Sequence, residues 1–545
     1  MHSRLQKAAK VSLIERVQRK FRRLQVERTD QRRIQKIIQA VEENAPLLAG
    51  KRPVVFFNAS TRLGGLSLNA AFSLISSWAV RLSGVPVVYF VCSRGMSRCV
   101  LGTKRDDVNA PPPCGECIAF SRRIFSSKAT RSFMFTPDPA LERDLSLLDL
   151  HALETFVFHD LPLGELVLPS LRWILRRHHL ADDPATRFLF RQYILSAWGI
   201  AAEFTRLLDE LDPAAVVLFN GMFYPEAVAK TISRRRGVRT ISHEVALRPL
   251  TGFFTTGEAT AYPIDIPEDF ALTPSQETRL DAYLEQRFQG KFSMAGVQFW
   301  PEMNGLSQEF WQRAAGFHQI VPIFTNVIFD TSQGHANIVF PHMFAWLDRV
   351  LGIIRAHPET LFVLRAHPDE TRPGKESRES VADWVAQNRV AELPNVLFIP
   401  PDEYLSSYEL IQQSKFIMVY NSTIGLEATL LQVPVLCAGK ARFTQLATVF
   451  FPETPEAFSI MAEEFLSAKK IDLPLEFTRN ARRFLYTQLY RTAIPFDDFL
   501  EDNGVWQGYV RFKDFAWQAL QPQNSPSLRV VVEGILEDKP FLLDD

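Results

Sequence analysis

Apolar positions fall along this chain in two textures. From Arg52 onward, short unbroken apolar runs at Val54 to Phe57, Pro86 to Val91, Ala214 to Asn220 and Val238 to Ser242 are separated by stretches in which apolar residues recur every three or four positions. Unbroken runs of this length fit strands buried on both faces of a parallel sheet, and the longer spacing fits amphipathic helices. Residues 120 to 210 read mostly as helices, with Leu171 to Leu175 and Phe188 to Phe204 at helical spacing, so the first α/β unit is expected to carry a large helical insertion. Residues 270 to 318 read as helical connectors. A cleaner run follows, with strands predicted at Pro322 to Asn326, Leu361 to Arg365, Val396 to Ile399, Phe416 to Tyr420 and Val433 to Cys437, and helices at Phe340 to Arg355, Tyr404 to Gln413 and Ile424 to Leu431. Helices return after Pro455, with a last strand-like run at Leu528 to Val532. The pattern predicts an α/β protein of two Rossmann-like, doubly wound domains facing a cleft, residues 49–316 and 317–475, between a helical extension (1–48) and a helical tail (476–545).

A chain of 545 residues with 46% hydrophobic and 22% charged residues is too long for one core and too apolar for disorder. Its formal net charge of zero hides an asymmetry: residues 1–40 carry twelve Lys/Arg against Glu15, Glu27 and Asp30, leaving the remainder acidic. In that basic segment Leu5, Ala9, Leu13, Val17, Phe21 and Leu24 place an apolar stripe on one helical face. Such a helix suits either an anionic membrane surface or the body of the protein itself. Nucleic acid is not expected as a partner, because no stacking or base-reading pattern accompanies the basic run. Without a signal peptide or an apolar run of about twenty residues, the chain is expected in the cytoplasm, with peripheral attachment at the inner face of the plasma membrane if the helix meets lipid. Five cysteines make no disulfide framework; Cys92, Cys99, Cys114 and Cys117 leave open structural zinc or reduced thiols packed in a loop, and the site set is read without a metal.

The quartet Arg-Ala-His-Pro occurs twice, at 355–358 and 365–368. In doubly wound sheets ligands bind beyond the carboxyl ends of the strands. The first copy follows a predicted helix and precedes a strand, so His357 is expected in an exposed turn at the amino edge. The second directly follows a strand, which puts Arg365 and His367 at the ligand edge. Two strands on, Asn421, Ser422 and Thr423 lead into a helix carrying Gly425 and Glu427 at that same edge. The hydroxyls are expected to cap this helix, its N–H groups to hold phosphate, and Glu427 to accept hydrogen bonds from ribose or sugar hydroxyls. Together these residues predict a nucleotide-diphosphate site.

The RAHPDE segment, Asn421 to Ala428, Val433 to Val435 and Gly439 resemble the donor half of GT-B glycosyltransferases of the capsule and surface polysaccharide biosynthesis group, relatives of the capsular Kdo transferases. The resemblance extends to Thr325, Asn326 and Asp330 and, more weakly, to Asn220, Gly221 and Ser242 to Glu244. It implies metal-independent transfer of a sugar from a nucleotide-sugar donor to a glycan or lipid-linked acceptor, without a further cofactor. His367 and Arg365 would then stabilise the leaving phosphate, and Glu244 or His243 would serve as base toward the acceptor. The loop from Ser60 to Asn69, with Gly64 and Gly65, would face acceptor or phosphate. Two other readings share these residues: a nucleotide-sugar 2-epimerase, and a non-catalytic nucleotide-binding scaffold of polysaccharide assembly.

Overall fold

The computed structural model describes residues 13–46, 50–59, 65–290, 304–505 and 508–545, with side chains in the first helix described mainly from Val26 on. Its strands run β1 Val54–Asn58, β2 Leu66–Ser67, β3 Val87–Cys92, β4 Thr130–Phe133, β5 Ala215–Phe219, β6 Arg239–Val245, β7 Thr251–Thr255, β8 Gln319–Phe324, β9 Thr360–Arg365, β10 Val396–Ile399, β11 Ile417–Val419, β12 Val435–Cys437, β13 Ile494–Pro495, β14 Leu500–Asp502 and β15 Tyr509–Phe512.

Two α/β sheets dominate. The first has seven strands in the order β13-β7-β6-β5-β1-β3-β4; the second has five, all parallel, in the order β10-β9-β8-β11-β12. In each, the strand order reverses beside the first strand, between β1 and β5 and between β8 and β11. Such a reversal opens a crevice at the carboxyl edge, because the flanking connections leave in opposite directions. Alternate strand residues feed different cores: Val54 and Phe56 pack on one face and Val55 and Phe57 on the other, while Leu361 and Val363 oppose Phe362 and Leu364. Both sheets are covered on both faces, as the unbroken apolar strands require.

The helical insertion is present as Cys114–Ile124, Pro139–Ser146, Leu163–Leu175 and Pro184–Leu211. It also contains β4, whose residues TRSF lack the apolar run by which the other strands announce themselves.

The tail departs from expectation. Leu528 to Val532 lies inside the helix Pro526–Glu537, not a strand. Ser525 caps that helix by accepting from the Leu528 N–H at 3.3 Å, Pro526 occupies its first turn, and Leu528, Val531, Val532 and Ile535 form a buried face. The β-branched residues suggested extension, but capping and helical periodicity prevail. Nor is the tail wholly helical: β13 pairs antiparallel with β7 in the first sheet, and β14 and β15 join β2 in a small third sheet.

The first helix spans Leu13–Asn44, and Ile34, Ile37, Ile38 and Val41 are buried in the core shared with β15 and the helix Leu68–Leu82. Asp30 accepts from the Phe512 N–H at 3.1 Å, and burial lifts its pKa to about 7. The C-terminal half of this helix therefore docks on the protein. The stripe from Leu5 to Leu24 lies outside the described side chains. Among the described residues, no helix is long and apolar enough to cross a membrane.

Candidate functional site

Chain direction and register bring the second sheet's site together. Phe324 of β8 pairs in register with Arg365 of β9 and with Val419 of β11, so the residues just after each strand emerge side by side at the carboxyl edge. A cleft of about 690 Å³ opens there, lined by Asn326, Arg365, His367, Asn421, Ser422, Thr423 and Glu427 among others. The Asn421 N–H donates to Asn326 Oδ1 at 3.3 Å, and Gln333 Nε2 donates to Asn421 Oδ1 at 3.3 Å. The connections after β8 and β11 are thus tied into one rim.

His367 is half-buried, and its Nδ1 accepts from the Asp369 N–H at 3.1 Å. With Nδ1 used as an acceptor, the ring hydrogen belongs on Nε2. Burial pulls the His367 pKa below its ordinary value, so the ring is a neutral donor at pH 7. Arg365 is buried, and its Nη1 donates to the Leu405 carbonyl at 2.6 Å. Burial lowers its pKa to about 10, which still leaves it charged at the cleft wall.

Three expectations for this edge need correction. Thr423 stands at the start of the helix Ile424–Leu430, but no side-chain bond caps that end, so the hydroxyls do not cap as expected. Gly425 does not line the cleft; a Cβ there would sit 3.1 Å from Phe443 and from Val419, so this glycine allows the helix to lie close on the sheet. Glu427 lines the cleft, but its carboxylate is already occupied. Oε1 accepts from Arg287 at 2.5 Å and Oε2 from the Tyr408 hydroxyl at 2.6 Å, deep in the wall. Burial opposes the charge on Arg287, but the Glu427 carboxylate outweighs it and raises the guanidinium pKa above its usual value. Glu427 therefore acts as a wall anchor, not as a free acceptor for sugar hydroxyls.

The other side of the cleft supplies groups that the sequence reading passed over. Glu258, paired with Lys230 and Arg234, and Thr260, whose hydroxyl lies 2.8 Å from His335 Nε2, reach in from the first sheet's side. Lys440 and Arg442 follow β12, and Arg442 stacks on Tyr262 at 3.9 Å from the ring centroid. Their signal was available: Gly439, Lys440 and Arg442 follow a strand of the same sheet, just as His367 does. Glu258 had none, since its place depends on the first sheet folding toward the second.

At the first sheet's carboxyl edge, His243 is 1% exposed, and burial alone drives its pKa down to about 3. It packs against the Phe219 and Phe254 rings, and with so low a pKa and so little exposure it is a weak base with little access to a substrate proton. Glu244 is half-buried, accepting from Asn69 at 3.0 Å and Asn220 at 2.8 Å. Gly64 lies outside the described residues. Gly65 has φ +144° and sits against Tyr509 of β15, just ahead of β2 in the small third sheet. His357, expected in an exposed turn, is half-buried at the amino edge, bonded to Glu359 at 3.0 Å and Glu463 at 2.7 Å. Cys92, Cys99, Cys114 and Cys117 form no disulfide and line a cavity of about 30 Å³. Among the described residues no group of three or more His, Cys, Asp or Glu stands ready to hold a metal ion.

Family comparison falls on this same edge. Residues 321–447 match the capsule polysaccharide biosynthesis protein family. The matched segment runs from β8 past β12 and contains His367, Asn421, Lys440 and Arg442. No curated protein matches the chain. Solved structures that overlap it include two of Thermosulfurimonas dismutans KpsC. The β-Kdo 2,4 transferase has 12% identity and a TM-score of 0.34 over 50% of this chain and 79% of that one. The β-Kdo 2,7 transferase has 12% identity and a TM-score of 0.30 over 62% and 90%. A UDP-GlcNAc 2-epimerase from Neisseria meningitidis bound to UDP-GlcNAc overlaps at 11% identity and a TM-score of 0.23, over 79% and 95%.

Proposed function

We propose that this chain is a glycosyltransferase that moves a sugar from a nucleotide-sugar donor to a surface or capsular polysaccharide, or to a lipid-linked glycan. The carrying observation is the convergence of Asn326, Arg365, His367, Asn421, Ser422 and Thr423 at one cleft within the capsule-family segment. Arg365, Lys440 and Arg442 offer the donor's phosphates charged hydrogen-bond donors at the cleft wall. His367, donating through Nε2, and Arg365 stabilise the charge that develops on the leaving phosphate. Fixed donors in a partly dry site do this without a metal ion. Glu244, on the facing sheet, takes the proton of the attacking acceptor hydroxyl in an inverting transfer.

The test is a thermal-shift screen against UDP-, GDP-, CMP- and dTDP-sugars, followed by turnover with the stabilising donor. Stabilisation by one donor and nucleotide release that depends on added glycan acceptor are expected. Epimer formation without acceptor would transfer the same cleft to epimerase chemistry, and no stabilisation by any donor would refute the nucleotide site. In this reading the apolar stripe from Leu5 to Leu24 and the basic residues around it, within residues 1–40, meet the anionic inner face of the plasma membrane and bring the cleft to lipid-linked acceptors. Removing residues 1–25, which spares the docked Ile34, Ile37 and Ile38, should weaken binding to phosphatidylserine vesicles and leave donor binding unchanged.

A further inference from the structure

Glu244 is held by two asparagines whose amides cannot turn around. Asn69, in the first turn of the helix Leu68–Leu82, donates from Nδ2 to Glu244 Oε1 at 3.0 Å, while its Oδ1 lies 3.3 Å from His243 Nδ1. Asn220 donates from Nδ2 to Glu244 Oε2 at 2.8 Å, while its Oδ1 accepts from the Met222 N–H at 3.0 Å. In each amide, what the oxygen accepts decides which way the nitrogen points. His243 therefore presents Nδ1–H to Asn69, and a buried neutral imidazole is suited to that, since it carries no charge that would compete for the carboxylate.

Successive residues of a strand face opposite ways, so His243 and Glu244 cannot both look into the cleft. Asn69 reaches over the end of β6 and joins them. Asn220 holds φ +58° in the turn that follows β5, next to Gly221 at φ +80°, a backbone asparagine tolerates better than most residues. The Val245 N–H adds a third bond, to Oε1 at 2.8 Å, so Oε2 is the less occupied oxygen among the described residues. The Tyr262 hydroxyl donates to the carbonyl of Val245, the residue after Glu244, at 2.5 Å, and Tyr262 is the ring on which the cleft-lining Arg442 stacks.

We infer that His243, Asn69 and Asn220 are positioning residues that lock the Glu244 carboxylate in one orientation, with Oε2 toward the acceptor hydroxyl. The inference rests on Glu244 being the acceptor base, and it gives the buried histidine a role other than proton transfer.

Nucleotide release is measured from UDP-, GDP-, CMP- and dTDP-sugars with capsular oligosaccharide as acceptor, in Asn69→Ala, Asn220→Gly, Glu244→Gln and the paired variants. Alanine suits a helix and glycine suits φ +58°, so melting temperatures should stay near wild type. Each asparagine variant is expected to lower kcat about tenfold with the donor KM unchanged, and to lower it no further in the Glu244→Gln background. Residues that act only through Glu244 must show this non-additivity. Equal losses with and without Glu244 would overturn the positioning role and leave the base assignment standing. Full turnover in Glu244→Gln would overturn the base assignment itself, and nucleotide release from none of the donors would overturn both.

Discussion

The buried Arg287–Glu427 pair allows wall and ligand roles to be separated. Their side chains are 7% and 6% exposed and meet at 2.5 Å; Tyr408 donates to the other carboxylate oxygen at 2.6 Å, and Tyr283 accepts from Arg287 at 2.9 Å. Replacing Glu427 by leucine removes the carboxylate that compensates a buried guanidinium. Breaking one side of such a pair costs about 3–5 kcal/mol, whereas replacing all its members by apolar residues of similar volume is often neutral. Glu427→Leu should therefore lower the free energy of unfolding by about 3–5 kcal/mol in a urea titration. The triple variant Glu427→Leu, Arg287→Met, Tyr408→Phe should recover most of that loss. Titration calorimetry with the donor found by thermal shift should then show that the triple variant binds it with near-wild-type affinity. A single-variant loss under about 1 kcal/mol would refute the claim that this pair anchors the wall. A stable triple variant that no longer binds donor would return Glu427 to the direct ligand contact that its sequence position suggested.

His367→Ala should cut turnover by more than roughly tenfold with the melting temperature preserved, because it removes a donor aimed at developing charge; unchanged kinetics would refute its role. Gly425→Ala should destabilise by about 1–3 kcal/mol, since its Cβ would press on Phe443 and Val419 at 3.1 Å, and thermal melts should show this without altered donor specificity. Acid should weaken the fold from the histidine side. Burial drives the His243 pKa to about 3, and burial followed by the Arg172 charge does the same for His178. Unfolded imidazoles titrate near 6.5, so below that pH the unfolded chain binds more protons and stability falls as pH drops from about 6.5 toward 3, by up to about 1.4 kcal/mol per unit for each histidine. The buried carboxyls of Asp30, Glu226 and Glu370, raised to about 7, 8 and 8, act with the opposite sign over this range. Urea melts at pH 6.5 and 5 are therefore compared in wild type and His178→Gln, and an equal pH dependence in the two would contradict the histidine contribution.

Much of the architecture was legible because its causes are local. Burial on both faces writes itself as an unbroken apolar run, helices write a three-to-four spacing, and chain direction alone decides that His367 follows a strand while His357 precedes one. From those facts came the two α/β units, the cleft edge and the convergence of Arg365, His367 and Asn421. What the sequence could not carry was the choice of partner over long separations. Glu427 reads as a free helix carboxylate until Arg287, 140 residues earlier, occupies it. His243 reads as a candidate base until two phenylalanine rings dry it out, and Leu528 to Val532 reads as a strand until Ser525 starts a helix and the core takes one face. Local pattern states which surfaces must be buried; only packing decides what they are buried against, and with it which polar groups remain free for a ligand.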